Sequence, residues 1–319
     1  MTTDHSPSTS DNNPPLALIA GPTASGKSQC AVNLARRIEE AGRKAVIINA
    51  DSAQVYRDLA VLSARPSEAE MLGVDHRLFG DWDGAQACSA ADWAKAARRE
   101  VAVAHGAGAV PILVGGTGLY LRTLLDGIAP VPPIDPDVRV HTRSFAVHEA
   151  FAALSREDPG RAARLAPADA ARIARALEVV RSTGRTLDEW QLERSGGIVG
   201  KVRLHPLILL PPREQLYMRC DLRFAGMLEN GAVGEVEALL SRNLDPDLPV
   251  MRAIGVAEIA GLLDGELSRD EVLARGAQAT RNYAKRQYTW FRHQPPANWP
   301  REEALITDAS NHFEILLQQ

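Results

Sequence analysis

The eight residues from Gly21 to Ser28 constrain the fold of this 319-residue chain more than any other feature. They read GPTASGKS and match the pattern G-x-x-x-x-G-K-[ST], in which a glycine-rich loop wraps around phosphate groups. The apolar run Leu16–Ala20 before the motif predicts a strand, and the amphipathic stretch after it predicts a helix. Because strand, loop and helix occur in the order that the motif requires, the sequence predicts a phosphate-binding loop of the P-loop type.

Each part of this loop has a chemical reason. Gly21 and Gly26 permit a tight turn whose backbone N–H groups converge on phosphate oxygens, assisted by the N terminus of the following helix. Lys27 supplies a mobile positive charge, and the hydroxyl of Ser28 suits Mg²⁺. The motif therefore identifies a phosphate as ligand but leaves the reaction open.

The composition of the chain excludes several classes of protein. Hydrophobic residues make up 45% and charged residues 24%, which is ordinary for a globular protein. No apolar run approaches the roughly 20 residues of a membrane span, so we expect no membrane association. The net charge of -4 gives no general attraction to nucleic acid, so such a partner has to be held by local basic patches.

The cysteines and the N terminus indicate the compartment. Cys30, Cys88 and Cys220 are scattered and unpaired by spacing, which argues for a reducing environment and against a metal cluster. The N-terminal residues are polar and lack the apolar region of a signal peptide, so we expect a disordered lead-in over 1–15. We therefore expect a cytoplasmic protein, and we expect it to be a monomer.

The order of predicted elements indicates an α/β fold with an insertion. Buried-strand runs alternate with amphipathic helices from residue 16 to about 120, as in a parallel sheet with crossover helices. Prolines interrupt this pattern between 126 and 137, helical patterns alone follow to about Arg194, and an apolar strand returns at 201–212. We predict a P-loop NTPase-like core with a parallel sheet, interrupted by an all-helical insertion domain. The predicted boundaries are 16–121 and 200–294 for the core, 122–199 for the insertion and 295–319 for a C-terminal extension.

Two predicted strands end in polar residues that we expect at the ligand-binding edge of the sheet. Asp51 follows the strand AVIINA, at the carboxyl end where open α/β sheets bind ligands. Its carboxylate is suited to bind Mg²⁺ or to act as a general base, and the alternative is a cap for the next helix. Thr117 lies in the run GGTG after the strand VPILV, and its hydroxyl can bond phosphate or substrate or serve a turn alone. The usual acidic metal ligand is missing there, which disfavours a nucleotide hydrolase.

Two basic segments contrast with the acidic net charge. Residues 161–185 carry six arginines against two acidic residues, and residues 281–293 carry four Lys or Arg and no acidic residue. In a helix, the second segment places three positive charges and an aromatic ring in one stripe, formed by Arg281, Lys285, Tyr288 and Arg292. Such segments are typical of solvated helix faces. The alternative is a surface for RNA, whose splayed bases stack on aromatic rings.

A further cluster of positive charge lies on the helix predicted after the returning strand. Arg219 and Arg223 are one helical turn apart and so lie on one face of this helix. We expect this face to look toward the phosphate loop. An arginine pair there stabilises a departing diphosphate through charge-assisted hydrogen bonds.

Six segments together resemble the tRNA dimethylallyltransferases, also called tRNA isopentenyltransferases. They are GPTASGKS at 21–28, DSAQVYR at 51–57, GGTGLYL at 115–121, RALEV at 175–179, MRAIGVAE at 251–258 and RNYAKRQYTWFR at 281–292. The family transfers the dimethylallyl group of dimethylallyl diphosphate to N6 of adenosine 37, just 3′ of the anticodon in tRNA. The resemblance implies a tRNA-modifying prenyltransferase with Mg²⁺ as cofactor, and with dimethylallyl diphosphate and the anticodon stem-loop of tRNA as partners.

The resemblance also implies roles for residues that match the family's motifs. Asp51 matches the base that takes the proton from the adenine amine, and Thr117 and Arg223 are implied as further catalytic residues. The diphosphate is implied to bind to the loop of Gly21, Pro22, Thr23, Ala24, Ser25, Gly26, Lys27 and Ser28, with Mg²⁺ held by Ser28. The residues implied to contact tRNA are Asp51, Ser52, Ala53, Gln54, Thr117, Arg139, Arg172, Arg175, Arg281, Lys285 and Arg286.

One segment departs from the family pattern. Where the family commonly has T-A-K-P and then P-H-H-L, this chain has SARP at 63–66 and DHRL at 75–78. Arg65 keeps the positive charge, whereas Asp75 stands where the family has proline and adds a negative charge. No tRNA contact is therefore carried over to this segment.

Three alternatives use parts of the same sequence. An adenylate isopentenyltransferase prenylates free AMP, ADP or ATP on the same core, but leaves the arginine-rich insertion and the basic C-terminal helix without a role. A small-molecule kinase with ATP in the loop accounts for the loop alone. A nucleotide-switched binding module predicts no turnover with any allylic diphosphate. The missing acid after the third strand favours transfer from an allylic diphosphate, because that reaction needs no activated water.

Overall fold

The computed structural model describes residues 12–318, which form two compact units. The first unit contains the chain up to Leu124 and again from Ile198, and the second contains Leu125–Gly197. Of the lead-in predicted over 1–15, residues 1–11 lie outside the described residues. Pro15 already belongs to the first strand, so the predicted end of the lead-in is one residue too late.

A six-stranded parallel sheet forms the centre of the first unit. Its strands are β1 (Pro15–Ala20), β2 (Ala45–Asn49), β3 (Asp75–Arg77), β4 (Val110–Gly115), β5 (Arg203–Leu209) and β6 (Arg301–Glu302). They lie in the order β3-β2-β4-β1-β5-β6, and every neighbouring pair is parallel. The central strands are runs of Val, Ile, Leu and Ala without polar alternation, as expected where a parallel sheet is buried on both faces. The predicted α/β fold is confirmed.

The helices are numbered here along the whole described chain. They are α1 (Lys27–Glu40), α2 (Glu68–Met71), α3 (Ala90–Gly106), α4 (Gly118–Asp126), α5 (Pro136–Arg143), α6 (Val147–Glu157), α7 (Pro159–Ala162), α8 (Ala170–Thr183), α9 (Leu187–Gln191), α10 (Arg213–Glu229), α11 (Ala232–Ser241), α12 (Val256–Leu263), α13 (Arg269–His293) and α14 (Glu314–Leu317). No helix among residues 12–318 combines the length and the hydropathy that a bilayer span needs.

Helix α1 covers the sheet with an apolar stripe that includes Cys30, Leu34 and Ile38. Phe313 and Leu316, near the end of the chain, pack into the same cluster. The predicted C-terminal extension therefore supplies both the edge strand β6 and part of the core. Its sequence is broken by prolines and turns, which explains why its elements give only a weak pattern.

The edge strand β3 has no apolar pattern because it contains only Asp75, His76 and Arg77. The carboxylate of Asp75, which departs from the family pattern, accepts a hydrogen bond of 2.6 Å from the Arg77 guanidinium. The negative charge is therefore neutralised locally. Arg65 donates to the backbone oxygen of Tyr56 at 3.3 Å and braces the preceding turn.

The second unit consists of helices α5–α9, and residues 138–194 contain no strand in the structure. Its core is a small cluster of alanines with Leu154, Ile173 and Leu177, covered by Phe145 and Phe151. Most of its arginines form ion pairs within the unit. Asp188 pairs with Arg161 and Arg164, Glu157 pairs with Arg181, and Glu193 pairs with Arg185.

Candidate active site

The phosphate-loop motif links β1 to α1 in a strained turn. Gly26 has a φ of 94°, which favours glycine, and Ala24 also has a left-handed φ of 63°. A Cβ atom on Gly21 would lie 2.6 Å from the backbone oxygen of Leu209, so this position requires a glycine. Strain at Ala24, which carries a side chain, is typical of a loop whose shape is imposed by what it binds.

Lys27 lies inside this turn and is only 8% exposed. Its ammonium group donates to the backbone oxygen of Pro22 at 3.3 Å. Burial lowers the pKa of Lys27 to about 8, the nearby Asp51 carboxylate opposes this shift, and the Arg223 guanidinium adds to it. Among residues 12–318 the buried Ser25 hydroxyl has no hydrogen-bond partner, and the exposed Ser28 is the second residue of α1. The turn therefore presents a buried cation and unpaired donors to an anion.

Two cavities of the first unit meet beside this turn. The first, called here the loop cavity, has a volume of about 440 Å³ and is bordered by residues 23–28 of the motif and by Gln29. The second, called here the apolar cavity, has a volume of about 320 Å³ and is bordered mainly by apolar and aromatic side chains. They include Tyr56, Leu59, Leu62, Tyr120, Phe224, Met227 and Tyr283. Three residues border both cavities, namely Thr23, Asp51 and Arg223.

Asp51 follows β2 and is 7% exposed, with its carboxylate at the junction of the two cavities. One carboxylate oxygen accepts the Ala53 N–H at 3.0 Å, and the Asn49 side chain bonds both backbone groups of Asp51. Turns follow, and the next helix begins only at Glu68, so Asp51 does not cap a helix. The Asp51 carboxylate is held rigidly beside Lys27 and Arg223. In this position it can accept a proton or pair with a positive charge.

Thr117 follows β4 and lies against the segment that begins with Asp51. Its hydroxyl accepts the Ser52 N–H at 2.9 Å and donates to the Ser52 hydroxyl at 3.2 Å. The phenol of Tyr283 on α13 lies beside both residues. Burial raises the pKa of this phenol, the Asp51 carboxylate raises it further, and the Thr117 and Ser52 hydroxyls oppose the shift. Thr117 is thus a bridge between two loops as well as a turn residue.

Arg223 of α10 reaches the phosphate loop, where its guanidinium donates to the Thr23 hydroxyl at 3.0 Å. Burial lowers the pKa of Arg223, and Asp51 opposes this shift. Arg219, one turn earlier on α10, borders the loop cavity as well. The structure therefore brings both arginines of this face to the loop that the sequence indicates.

In the basic segment of α13, some side chains are exposed, whereas others form ion pairs or are buried. Lys285 and Arg286 are exposed, and Arg286 lies over the Tyr283 ring at 5.6 Å from its centroid. Arg281 forms an ion pair with Asp221. Tyr288 does not share an exposed face with the basic residues of the predicted stripe, because its side chain is 7% exposed and packs under the Arg213 guanidinium.

The segment after Asp51 has a structural function that its sequence does not indicate. Ser52 and Ala53 border the apolar cavity. The Gln54 amide donates to the backbone oxygens of Ser63 and Ala64, at 3.2 and 2.7 Å, and so anchors the next turn. Contact of Gln54 with tRNA stays a prediction.

Of the arginines predicted to contact tRNA in the second unit, Arg175 lies beside a buried acid, Glu178. Glu178 accepts a hydrogen bond of 2.8 Å from Arg143 and lies 3.8 Å from Arg175. Burial lowers the pKa of Arg175, Glu178 opposes this shift, and the neighbouring Arg139 and Arg143 add to it. Arg172 is exposed and pairs with Asp169. The cluster has more positive than negative charge, as a phosphate-binding surface requires.

Residues 64–79 also border the loop cavity, although the sequence does not single them out for this. Their contribution comes from Ala64, Pro66, Glu70, His76 and Phe79. The segment contains three non-glycine residues with left-handed φ, at Ala64, Leu72 and Leu78. The patterns SARP at 63–66 and DHRL at 75–78 do not indicate such a wall, because shape and not one chemical group defines it.

A carboxylate from α11 shapes the wall of the apolar cavity. Glu235 accepts hydrogen bonds from the N–H groups of Ala60, Val61 and Leu62, the last two at 2.9 and 2.8 Å. We expect Glu235→Ala to lower the free energy of unfolding by about 1–3 kcal/mol, because these donors lose a charged acceptor. Urea unfolding measures this effect, and the exposed Glu237→Ala on the same helix is the control. Equal losses in both variants would contradict the assignment.

Metal-binding clusters of the ordinary kind are lacking in the described part of the chain. No three His, Cys, Asp or Glu side chains among residues 12–318 come together as a metal site. Cys30, Cys88 and Cys220 are free and buried, and burial raises the pKa of each thiol to about 11.

Comparison with known sequences connects the site to one family. The sequence pattern of the family described as IPP transferase matches residues 54–294. A protein of Erythrobacter litoralis named tRNA dimethylallyltransferase is 66% identical over 305 residues, which cover 96% of this chain and 96% of that protein. A protein of Zymomonas mobilis with the same name is 53% identical over 285 residues, covering 89% of this chain and 90% of that protein.

Comparison with solved structures leads to the same family. The full-length tRNA isopentenylpyrophosphate transferase of Bacillus halodurans has a TM-score of 0.67 and 31% identity, with 95% of this chain and 94% of that chain covered. A eukaryotic dimethylallyltransferase acting on tRNA has a TM-score of 0.74 and 28% identity, with 87% and 69% covered. Sequence and fold thus agree over nearly the whole described chain.

Proposed function

The chain belongs to the IPP transferase family, and we propose that it modifies tRNA by transferring a dimethylallyl group from dimethylallyl diphosphate to N6 of adenosine 37. The observation that carries this proposal is the junction of the two cavities at Thr23, Asp51 and Arg223. A phosphate loop on one side suits the diphosphate. An apolar and aromatic cavity on the other side suits an allyl group and a base that has left its stack.

The proposed reaction is a displacement at the allylic carbon. The N6 lone pair forms the new C–N bond, the C–O bond to the diphosphate breaks, and diphosphate leaves with the bonding electrons. Lys27, Arg223 and the loop N–H groups stabilise the negative charge that develops on the leaving group. Asp51 accepts the proton that the amine loses as the C–N bond forms.

Mg²⁺ fits the residues at the loop cavity. Ser28 offers one hydroxyl at the exposed start of α1, and Asp51 borders the same cavity. One or two protein oxygens with phosphate oxygens and water are the ligands that Mg²⁺ usually has in phosphate sites. When bound, the ion neutralises part of the diphosphate charge.

We propose that tRNA is held by exposed cations in both units. Lys285 and Arg286 lie on α13 of the first unit, and Arg286 also borders the apolar cavity. In the second unit, the proposed contacts are Arg139, Arg172 and Arg175. These side chains offer the local positive charge that a chain of net charge -4 needs for RNA.

We expect the double variant Arg172→Ala with Arg175→Ala to bind tRNA more weakly and with a flatter salt dependence. Each lost phosphate contact reduces the slope of log affinity against log salt by about 0.7–0.9. Arg143 still pairs with the buried Glu178 in this variant, so the unit keeps its fold. Filter binding across a salt series measures the slope, and Arg37→Ala, an exposed residue of α1, is the control. Unchanged affinity and slope would show that both arginines belong to a solvated surface without a role in tRNA binding.

A transfer assay separates this function from its alternatives. Labelled dimethylallyl diphosphate is incubated with the protein and with tRNA, AMP or neither, and we expect label in tRNA alone. Label in AMP supports a free-nucleotide prenyltransferase, which leaves the basic surfaces of both units without a role. Absence of label in every reaction favours a kinase or a binding module. The cytoplasmic location and the monomeric state stay predictions from the sequence.

A further inference from the structure

We propose that Gln287 is a positioning residue that holds the diphosphate clamp and the proton acceptor at a fixed distance from each other. This inference rests on the proposed function, and it concerns a residue that the sequence places within a basic RNA-binding segment. Gln287 lies on α13 but faces inward, and it is only 5% exposed.

The side-chain amide of Gln287 connects two separate loops. Its oxygen accepts the N–H of Thr23 in the phosphate loop at 2.8 Å, and its nitrogen donates to the backbone oxygen of Gly116 at 2.9 Å. A backbone N–H only donates and a carbonyl only accepts, so this orientation of the amide is the one that satisfies both neighbours. One buried group thus sets the spacing between the loops after β1 and β4.

The two loops that Gln287 connects each contact a different part of the proposed reaction site. On the side of the leaving group, the Thr23 hydroxyl accepts a hydrogen bond from the Arg223 guanidinium. On the side of the nucleophile, Gly116 precedes Thr117, whose hydroxyl holds the N–H of Ser52, the neighbour of Asp51. A shift of either loop therefore changes the separation of the charge donors from the carboxylate.

The surroundings of Gln287 leave little room for an alternative geometry. A Cβ atom on Gly116 would clash with the Gln287 amide nitrogen, and one on Gly118 would clash with the Trp290 ring from the same helix. Tyr283, one turn before Gln287, lies beside the Thr117 and Ser52 side chains. The side of α13 that carries Tyr283, Gln287 and Trp290 thus packs against the loop of residues 116–118.

The test compares single-turnover transfer by wild-type protein and by two variants, with enzyme in excess over labelled dimethylallyl diphosphate and with saturating tRNA. Gln287→Leu removes both hydrogen bonds at similar volume, and Gln287→Glu keeps an acceptor for Thr23 but cannot donate to Gly116. We expect the rate constant to fall about 10- to 100-fold for Gln287→Leu, since a misplacement of about 1 Å has this cost. We expect a smaller fall for Gln287→Glu. Gln278→Leu, on the exposed face of α13, is the matched control and should keep the wild-type rate constant.

The rate constant at saturating enzyme, together with urea unfolding, separates positioning from folding. The labelled substrate is limiting, so at enzyme concentrations that saturate the observed rate the rate constant reports the active molecules alone, and urea unfolding measures the folded fraction. A wild-type rate constant in Gln287→Leu at saturating enzyme, with or without a loss of stability, would overturn the inference. If wild-type protein transfers no label at all, the proposed function fails instead, so the two failures are distinguishable.

A double-variant cycle tests the route through the second loop. Because Gln287 acts in part through Thr117, we expect Gln287→Leu combined with Thr117→Ala to cost less than the product of the two single effects. Effects that multiply in full would show that the two residues act independently and would contradict the inference.

Discussion

We expect Asp51→Asn to lower the single-turnover rate of transfer to tRNA by about 10²–10⁴. The substitution removes the proton acceptor but keeps an oxygen for the Ala53 N–H, so the local turn should persist. Affinity for tRNA and for dimethylallyl diphosphate should stay near the wild-type values. The measurement is a quenched time course with enzyme in excess, and the exposed Asp264→Asn after α12 is the matched control.

A Mg²⁺ titration of the same variant distinguishes two roles of the carboxylate. If Asp51 accepts the proton, excess Mg²⁺ leaves the rate of Asp51→Asn low. If Asp51 supports the metal ion, excess Mg²⁺ restores the wild-type rate, and the proposed mechanism is wrong. We favour the acceptor role because Ser28, phosphate oxygens and water are sufficient to hold a largely hydrated Mg²⁺.

The second large effect is expected for Lys27→Met, which removes the buried positive charge from the phosphate loop. We expect the transfer rate to fall about 10²–10³-fold, because the diphosphate loses a donor as its charge develops. The free energy of unfolding should be unchanged or higher, since burial of this ammonium group is unfavourable when no anion is bound. Transfer kinetics and urea unfolding of the same preparation measure both effects.

Lys44→Met, an exposed lysine between α1 and β2, is the control for this substitution. It should change neither transfer nor stability. A stable Lys27→Met variant with wild-type transfer would remove Lys27 from the diphosphate site. A variant that loses both transfer and stability would contradict the view that the charge serves the ligand and not the fold.

The sequence predicts the centre of this fold well because its strands carry strong local patterns. β1, β2 and β4 are mainly apolar runs, β5 ends in the apolar run Leu207–Leu209, and the phosphate-loop motif defines the turn between β1 and α1. β3 and β6 have three and two residues, and both take their hydrogen bonds from a neighbouring strand. Elements of this kind depend on tertiary pairing and leave no periodicity to detect.

The candidate site shows the same division between local and tertiary information. Asp51 and Thr117 are detectable because each follows a predicted strand, and the carboxyl ends of parallel strands meet at one edge. Helical spacing places Tyr288 in the basic stripe of α13 but does not show which face of the helix is buried. The buried residues Ala284, Gln287, Tyr288 and Phe291 follow the spacing of an inward stripe, and this signal was available in the sequence.

The bonds of Gln287 illustrate what sequence patterns cannot supply. This residue lies 264 positions from Thr23 and 171 positions from Gly116 along the chain. Only the packing of α13 against the loops after β1 and β4 brings the three together. Glu235 is a comparable case, because its three backbone partners lie 173 to 175 positions away.

The central claim is that the exocyclic amine of one tRNA adenosine attacks the dimethylallyl group at the junction of the two cavities. Its most direct test uses two anticodon stem-loop RNAs that differ only at position 37, one with adenosine and one with purine riboside, which lacks N6. Transfer from labelled dimethylallyl diphosphate is measured for both RNAs with wild-type protein. The account predicts label in the adenosine RNA, recovered as N6-dimethylallyladenosine after digestion, and none in the purine RNA. Equal labelling of both RNAs, or labelling of neither, would contradict it.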